Sequence, residues 1–302
     1  MKSTKPLRCT AFEELMLAQD SPQYPCVIVY RMHGRGKIDR IRFEKAVAMM
    51  IELGERTAPL PVEVVSHRFD SEVSDSLRTS AQNLNDLLAA SIFTGCEQFR
   101  ATRSEQSDAD WLRMMVPVSM RSTKADQQQT ACNIVSAVFL DRTPVQIRDR
   151  DYLVDSIHQE MELIKNNRLA LMFNFSLWLR KLVLFRNRPP QPPSKCQASM
   201  VFTNLGKIYA RSSLRDAEQR IVSGGLVIET IEAIAPLTPY MCAAFSAIQY
   251  AKQLSLSLRY DPRVIKRDAA ESLLDGIVAD VLVQAGHSSP TSVTTAVATE
   301  AV

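Results

Sequence analysis

Glycine is scarce in this sequence, which has nine glycines among 302 residues. That is about 3%, where roughly 7% is usual in globular proteins. The HGRGK stretch that contains Gly34 and Gly36 does not complete a glycine-rich phosphate loop, and neither does the pair Gly224 and Gly225. The scarcity therefore argues against a protein that holds a nucleotide in such a loop.

Cysteine pairs and metal-binding clusters are also missing. The six cysteines lie far apart, with no C-x-x-C motif and no histidines at metal-ligand spacing. They are Cys9, Cys26, Cys96, Cys132, Cys196 and Cys242. Isolated cysteines in a chain of this size are typical of reduced thiols, because disulfide frameworks belong to secreted proteins. The pattern predicts a cytoplasmic protein without a metal site.

A strong charge bias and a long apolar run are absent as well. Lysine and arginine number 36 against 33 aspartates and glutamates, so the formal net charge is only +3. So small an excess does not indicate a nucleic-acid partner. No apolar run reaches the roughly 18 residues of a transmembrane helix, and the N-terminus lacks the apolar region of a secretory signal. We therefore expect no nucleic-acid partner and no transmembrane segment.

What is present is a core-forming composition, 46% hydrophobic and 23% charged, in which helical and strand periods alternate. The predicted helices are 10–19, 39–53, 71–102 with an interruption near 83–85, 149–186 and 265–285. The predicted strands lie at 26–34, 111–120, 130–140, 196–205, 220–232 and 240–260. Between them, 54–73 offers only the short VEVV strand. Interleaved elements of this kind predict an α/β fold, layered as in α+β domains.

The stretch 168–188 is unusually apolar and ends in basic residues. Its large apolar side chains are Leu169, Met172, Phe173, Leu177, Trp178, Leu182 and Phe185. One interpretation is a surface that binds an acyl chain or lies on a membrane. The other is simple core packing, which is the usual fate of a hydrophobic helix.

Several short segments then occur in a recognisable order. After the helix, strand and helix of residues 10–52 come LNDLLAAS (84–91), VPVSMR (116–121), ACNIVSAVFL (131–140), VFTNLGK (201–207) and SLRYDPRVI (257–265). Together they resemble the condensation-domain and CoA-dependent acyltransferase superfamily, which includes nonribosomal-peptide condensation domains, wax ester synthases and alcohol acetyltransferases. The resemblance implies a chloramphenicol-acetyltransferase-like lobe. It also implies transfer of an acyl group from a CoA or carrier-protein thioester to an alcohol or amine.

The superfamily's catalytic signature, HHxxxDG, is not found in this sequence. Four residues beyond His33, His67, His158 and His287 stand Lys37, Ser71, Glu162 and Thr291, so none of the histidines precedes the required aspartate. The segment 54–73 is also too short to hold the block in which the family carries the signature. We therefore expect a truncated N-terminal lobe. The predicted boundaries are 1–56 for its remnant, 57–75 for a junction, 76–286 for the C-terminal acyltransferase-like lobe and 287–302 for a disordered tail.

The resemblance implies substrate-binding roles for five residues. Asn85 and Asp86 match the family pair at the start of a helix, where they would cap the helix and shape the mouth of the substrate tunnel. Asn133 would lie on a tunnel-lining strand, where its amide would orient a carbonyl or, as an alternative, bond to neighbouring backbone. Arg121 and Asn204 would bind substrate or, as an alternative, join neighbouring strands by structural hydrogen bonds.

Two histidines need separate interpretations. His67 is the histidine nearest the place of the missing signature, so it is the candidate for a catalytic base, and a loop histidine is the alternative. His158 has Glu162 four residues later on a predicted helix, which resembles half of a metal site. Without a third ligand, a solvated helix face is the simpler interpretation.

The sequence thus predicts an acyltransferase homologue that is inactive as it stands, because the catalytic base is missing. Its substrate would be an acyl-CoA or acyl-carrier thioester, and no further cofactor is expected. The alternative function is a noncatalytic module that binds an acyl ligand or a protein. Such a module would cover its truncated lobe by forming a homo-oligomer or by binding a partner chain. A sheet face that has lost its partner lobe predicts an exposed apolar patch near residues 54–75.

Overall fold

The computed structural model describes residues 11–20, 26, 28–37, 39–41, 63–79, 83–102, 111–120, 135–184, 198–238 and 241–286. The helices are α1 (Ala11–Gln19), α2 (Ser71–Thr79), α3 (Leu84–Thr102), α4 (Pro144–Arg148), α5 (Arg150–Asn166), α6 (Ala170–Leu184) and α7 (Arg267–Gln284). The strands are β1 (Val29–Arg35), β2 (Glu63–Arg68), β3 (Leu112–Ser119), β4 (Val135–Arg142), β5 (Met200–Lys207), β6 (Val222–Ser223), β7 (Leu226–Ile234), β8 (Ala243–Tyr250) and β9 (Gln253–Tyr260).

A mixed six-stranded sheet forms the centre of the molecule, with the strand order β2-β9-β8-β5-β3-β4. Strand β5 runs parallel to β3 and β8, whereas β9 is antiparallel to both β2 and β8. Ala251 and Lys252 connect β8 to β9 with φ angles of 47° and 64°. Positive φ at both central residues matches the twist of a two-residue hairpin turn, so this turn sets the β8–β9 register.

One face of this sheet is apolar and is covered by helices. Because side chains alternate along a strand, Leu254, Leu256 and Leu258 all point to the same face, and each is at most 1% exposed. Helices α3, α5 and α7 pack there in one continuous core. At Gly95 of α3, an added Cβ would lie only 2.3 Å from Ile277 Cγ1 of α7. The absence of a side chain at Gly95 therefore lets the two helices approach closely.

A second sheet, with the order β1-β7-β6, covers part of the opposite face. Strand β1 pairs antiparallel with β7, with an irregularity after His33. Ile231 and Ala233 of β7 pack on Ile248 and Tyr250 of β8. The Tyr250 hydroxyl donates a hydrogen bond to the Ile228 carbonyl over 2.8 Å, so apolar contacts and hydrogen bonds both hold the two sheets together.

Most of the predicted elements are confirmed within the described ranges. The helix predicted for 71–102 is interrupted as expected, because α2 ends at Thr79 and α3 begins at Leu84. The helical region predicted for 149–186 forms α5 and α6, which are separated at Arg168, where φ is 52°. The predicted helix 39–53 lies outside the described residues beyond residue 41. The predicted tail 287–302 also lies outside them.

Strand β2 lies inside the segment that was predicted as a junction. It pairs antiparallel with β9 over its whole length, from Glu63 opposite Tyr260 to Arg68 opposite Ser255. It is therefore an edge strand of the large sheet. The apolar patch expected near residues 54–75 is not found in the described part of that segment, 63–75, because Val65, Phe69 and Val73 are buried and Val64 is half-buried.

Helix α6 has two apolar sides with different surroundings. On one side Phe173 packs edge-on against Phe139 of β4 with 5.7 Å between ring centroids. On the other side the large apolar residues are 43–59% exposed. They are Leu171, Met172, Phe175, Trp178, Leu179 and Leu182. The core-packing interpretation of this stretch therefore describes only the side that faces β4.

Candidate functional site

A row of buried serines crosses the large sheet on the face opposite to helices α3, α5 and α7. Ser66 on β2 stands opposite Ser257 on β9, which stands opposite Ser246 on β8. Because neighbouring residues of a strand point to opposite faces, these serines back directly onto the leucines and aromatic residues of the core. All three are buried, at 1–3% exposure, beneath or beside strand β7.

An ion pair joins these serines to the second sheet. The Ser66 hydroxyl donates to Glu232 Oε2 over 3.3 Å and lies 3.2 Å from the Ser257 hydroxyl. Arg31 Nη1 of β1 donates to the same Glu232 oxygen over 3.3 Å. We call Arg31, Ser66, Glu232, Ser257 and Arg259 the polar layer. It places a carboxylate, two guanidinium groups and two hydroxyls between the two sheets.

Arg259 is the most deeply buried charge of the polar layer. It lies on β9 two residues after Ser257, and it is 1% exposed. Its Nη1 donates to the Ala235 carbonyl over 3.2 Å, whereas its Nε and Nη2 are buried and have no hydrogen-bond partner among the described residues. Burial lowers the pKa of Arg259 to about 10, and the nearby charge of Cys26 opposes this shift. The group is therefore still a cation at neutral pH.

His67 is not part of the polar layer. It lies opposite Leu256, so it points to the helix-covered face, where its ring stands 4.7 Å from that of Phe69. Its Nδ1 is buried, and no described residue forms a hydrogen bond with it. Burial lowers the pKa of His67 below its ordinary value, and the charge of Arg68 adds to the effect. The neutral ring therefore behaves here as a core side chain.

Asn85 and Asp86 lie at the start of α3, where the resemblance places a capping pair. The side-chain Oδ1 of Asn83 accepts a hydrogen bond from the Asn85 backbone N–H. The backbone carbonyl of Asn83 accepts hydrogen bonds from the backbone N–H groups of Asp86 and Leu87. The residue that caps the helix is therefore Asn83. The Asp86 side chain is free to make a contact elsewhere in the protein.

Asp86 pairs with a histidine 72 positions along the chain. Its Oδ2 lies 2.8 Å from Nδ1 of His158 on α5, while its Oδ1 is buried and has no partner in the part of the chain that the structure describes. The Asp86 side chain is 1% exposed and that of His158 is 53% exposed. Glu162 contacts Lys165 rather than His158. The described residues hold no group of three His, Cys, Asp or Glu side chains that could bind a metal ion.

The other predicted site residues do not join these clusters. Asn204 lies near the end of β5, where its Oδ1 accepts a hydrogen bond from the Gly206 N–H over 2.9 Å. Gly206 has a φ of +64°, so Asn204 stabilises a turn that favours glycine. Arg121 and Asn133 lie outside the described residues. Within the described part of the chain, no helix combines the length and the hydrophobicity needed to cross a membrane.

Sequence comparisons give no match, either to a protein-family model or to a curated protein. Solved structures do match. The epimerization domain from the third module of tyrocidine synthetase B is 14% identical, with a TM-score of 0.51 over 94% of this chain. Trichothecene 15-O-acetyltransferase from Fusarium sporotrichioides is 13% identical, with a TM-score of 0.50 over 73%. Polyketide synthase associated protein 5 from Mycobacterium tuberculosis is 15% identical, with a TM-score of 0.50 over 93%.

These likenesses show the fold. The chain has the mixed α/β fold of the condensation-domain and CoA-dependent acyltransferase superfamily, as its sequence segments indicated. It covers 61%, 46% and 63% of the lengths of those three structures, in the same order. At 13–15% identity, this likeness shows the fold alone.

Proposed function

We propose that this chain is a homologue of superfamily acyltransferases that does not itself transfer acyl groups. The related reaction moves an acyl group from a CoA or carrier-protein thioester to an alcohol or amine, with no resident cofactor. The supporting observation is the position of the described histidines. His67 faces the apolar core, His158 lies in the helix layer and His33 is exposed on β1, so none hydrogen-bonds within the polar layer.

A missing base has a large kinetic consequence. An alcohol or amine becomes a good nucleophile when a base removes its proton as the new bond forms. Such general-base catalysis contributes about 10²–10⁴-fold to the rate. The proposal includes loss of part of the substrate tunnel, because segment 54–73 is too short to hold the block that carries the signature, and positioning of the substrate would be lost with it. A cytoplasmic location, predicted from the scattered cysteines, belongs to the same proposal.

The experiment is an acyl-transfer assay with the full chain. Acetyl-CoA and octanoyl-CoA serve as donors, 1-octanol and octylamine as acceptors, and mass spectrometry detects the ester or amide. We expect no product above the rate without protein, and the same result for His67→Gln and His158→Gln. Product that His67→Gln abolishes and His33→Gln leaves unchanged would overturn the proposal and assign the base to His67.

A noncatalytic binding module is the second proposal, and the exposed side of α6 favours it. Leu171, Phe175, Trp178 and Leu182 are each about half exposed and follow one another at intervals of four, three and four residues. That spacing places them in one stripe along the helix, as in the contact surface of a helix pair. The proposed occupant is the same stripe of a second copy. Analytical ultracentrifugation should show a dimer of the wild-type protein and a monomer of the Phe175→Glu variant. A wild-type protein that is monomeric at all concentrations would refute the proposed dimer.

A further inference from the structure

A crevice that is open to solvent lies where helix α2 meets the ends of strands β5 and β8. It is lined by Ser74 and Arg78 of α2, by Lys207 at the end of β5 and by Gln249 near the end of β8. Lys207 and Gln249 are register partners in the parallel β5–β8 pair. The Ser74 hydroxyl accepts a hydrogen bond from the Leu254 N–H over 2.9 Å, which attaches α2 to the start of β9. The crevice is therefore built on helices and strands of the main sheet.

The turn between β8 and β9 adds Lys252 and Gln253 to the lining. Lys252 has a φ angle of 64°. Asparagine and glycine adopt positive φ at a lower cost than lysine, and both are favoured in two-residue hairpin turns. The geometry of the turn therefore does not account for a lysine at this position. What Lys252 contributes is an exposed positive charge beside the crevice.

The lining has an excess of positive charge. Arg78, Lys207 and Lys252 are all exposed, and the described residues that line the crevice include no aspartate or glutamate. Arg78 is paired with Asp75 of its own helix over 2.8 Å. Lys207 and Lys252 form no ion pair with any described residue. The crevice thus offers two ammonium groups whose charge is not compensated by a neighbouring carboxylate.

The space in the crevice limits the size of its occupant. Its free space, counted out to the solvent at the open mouth, is about 240 Å³, but the enclosed part admits only about one water-sized group. An oxygen of an anion can enter this part, whereas an organic body must stay in the solvent at the mouth. The side-chain amides of Gln249 and Gln253 are N–H donors for such an oxygen. The crevice therefore fits a small oxyanion, or a larger molecule by its charged end.

We propose that this crevice binds a phosphate dianion, either as free phosphate or as the terminal group of a small phosphate monoester. Lys207 and Lys252 are its counter-ions. A phosphate monoester carries a charge of about −1.5 to −2 at pH 7, which matches two uncompensated ammonium groups. A carboxylate or a phosphodiester carries only about one charge. The site goes beyond the proposed function, because binding a phosphate group requires neither acyl transfer nor its absence.

The test is a phosphorus NMR titration of the full chain at low ionic strength with inorganic phosphate, glycerol phosphate and dimethyl phosphate. We expect the first two to bind with dissociation constants on the order of 1 mM, because exposed charges interact weakly and are screened by salt. Dimethyl phosphate is a monoanion and should bind at least about fivefold more weakly. Tighter binding of glycerol phosphate would identify a monoester as the source of the phosphate group. Tighter binding of inorganic phosphate would identify free phosphate.

Variants of the two lysines locate the site. Lys207→Gln and Lys252→Asn should each weaken phosphate binding at least about threefold, and the double variant should abolish it. Lys266→Gln removes the same charge from an exposed lysine outside the crevice and should bind phosphate as the wild type does. Without ligand, Lys252→Asn should unfold at the same urea concentration as the wild type or at a higher one, because asparagine suits the turn. A lysine with a structural role would instead lose stability in this variant.

Three outcomes would overturn the proposal. They are no binding of either phosphate dianion by the wild-type protein, binding of dimethyl phosphate as tight as that of inorganic phosphate, and a loss of binding in Lys266→Gln equal to that in Lys207→Gln. The last would show that the charge of the whole surface, and not the crevice, attracts the anion. Because no acyl transfer is measured, failure of this proposal is distinguishable from failure of the proposed function.

Discussion

The two faces of the six-stranded sheet are built from alternate residues of the same strands, yet they have different chemistry. On β9, Leu256 and Leu258 enter the helix-covered core, while Ser257 and Arg259 enter the polar layer. Both sets are buried to nearly the same degree. Burial alone therefore does not identify a functional face, and the informative feature is a charge that is buried without a partner.

This contrast also bears on the predicted truncation of the N-terminal lobe. An apolar patch was expected where a partner lobe would have covered the sheet. The face opposite the helices instead presents serines and an ion pair beneath β7, and its apolar members lie in two clusters at either side. A polar face can exist beside water, so its chemistry does not require that another lobe cover it.

The largest effect on stability is expected from a comparison of two neighbouring residues on β8. Phe245→Ala should lower the free energy of unfolding by about 3–5 kcal/mol, because it opens a cavity in a closely packed core. Ser246→Ala should cost about 1–2 kcal/mol, because it leaves the buried Ala233 carbonyl without the hydroxyl that donates to it. Urea unfolding of both variants measures the difference. Equal losses in free energy of unfolding would show that the two faces of the sheet contribute equally to stability.

The next largest effect is a pH dependence of stability that is caused by His67 on the apolar face. Burial lowers the pKa of His67 below 6.5, so at acidic pH the unfolded chain binds a proton that the folded chain excludes. Stability should therefore fall as the pH drops below about 6.5, by at most about 1.4 kcal/mol per pH unit. In His67→Gln this loss should shrink, whereas the exposed His33→Gln should retain it. Urea unfolding at pH 7.5 and pH 5.5 measures the change, and an unchanged slope in His67→Gln would contradict the assignment.

A smaller effect tests the ion pair of the polar layer. Glu232→Gln should lower the free energy of unfolding by about 1 kcal/mol, because it weakens the hydrogen bonds from Arg31 and Ser66 without opening a cavity. A double-mutant cycle with Arg31→Met isolates the contribution of the pair. A coupling energy indistinguishable from zero would mean that solvent already screens this pair, in which Arg31 is 29% exposed.

The smallest effect is expected at the irregular end of β5, an inner strand of the large sheet. Asn204→Ala should cost about 0.5–1 kcal/mol, because it removes one hydrogen bond from the turn at Gly206. Thermal unfolding measures it, with Asn204→Asp as a matched variant that keeps the acceptor oxygen. If both variants lose as much free energy of unfolding as Phe245→Ala does, the contribution of this turn to stability is not local.

Much of the fold could be predicted from the sequence because its signals are local. The alternation of Leu254, Leu256, Leu258 and Tyr260 predicts the strand β9 and its apolar face. The polar stretch near Asn83 predicts the break between α2 and α3. Five short segments in the family order predicted the superfamily fold, which the solved structures confirm. A proline-rich segment with only VEVV as a strand signal did not reveal that β2 belongs to the large sheet.

The candidate site was much less accessible to sequence reasoning. The prediction for Asp86 concerned its own helix, whereas its partner His158 lies on another helix 72 positions away. Arg259 was overlooked, although the sequence contains a local signal for it. An arginine that alternates with the leucines of a buried strand, in phase with its serines, must lie on the face opposite to those leucines. The substrate-binding roles of Asn85, Asp86, Arg121, Asn133 and Asn204 remain predictions.

The sequence by itself determined where most helices and strands lie, because their periods repeat within a few residues. It also determined that no histidine is followed by the aspartate of the family signature. Only the tertiary structure decided that the second face of the sheet is buried as well. The reason is that β7 is brought over β8 by long-range packing, which no short stretch of sequence encodes. Next to the end of β7, the guanidinium of Arg259 is excluded from water, and none of the described residues supplies it with a counter-ion.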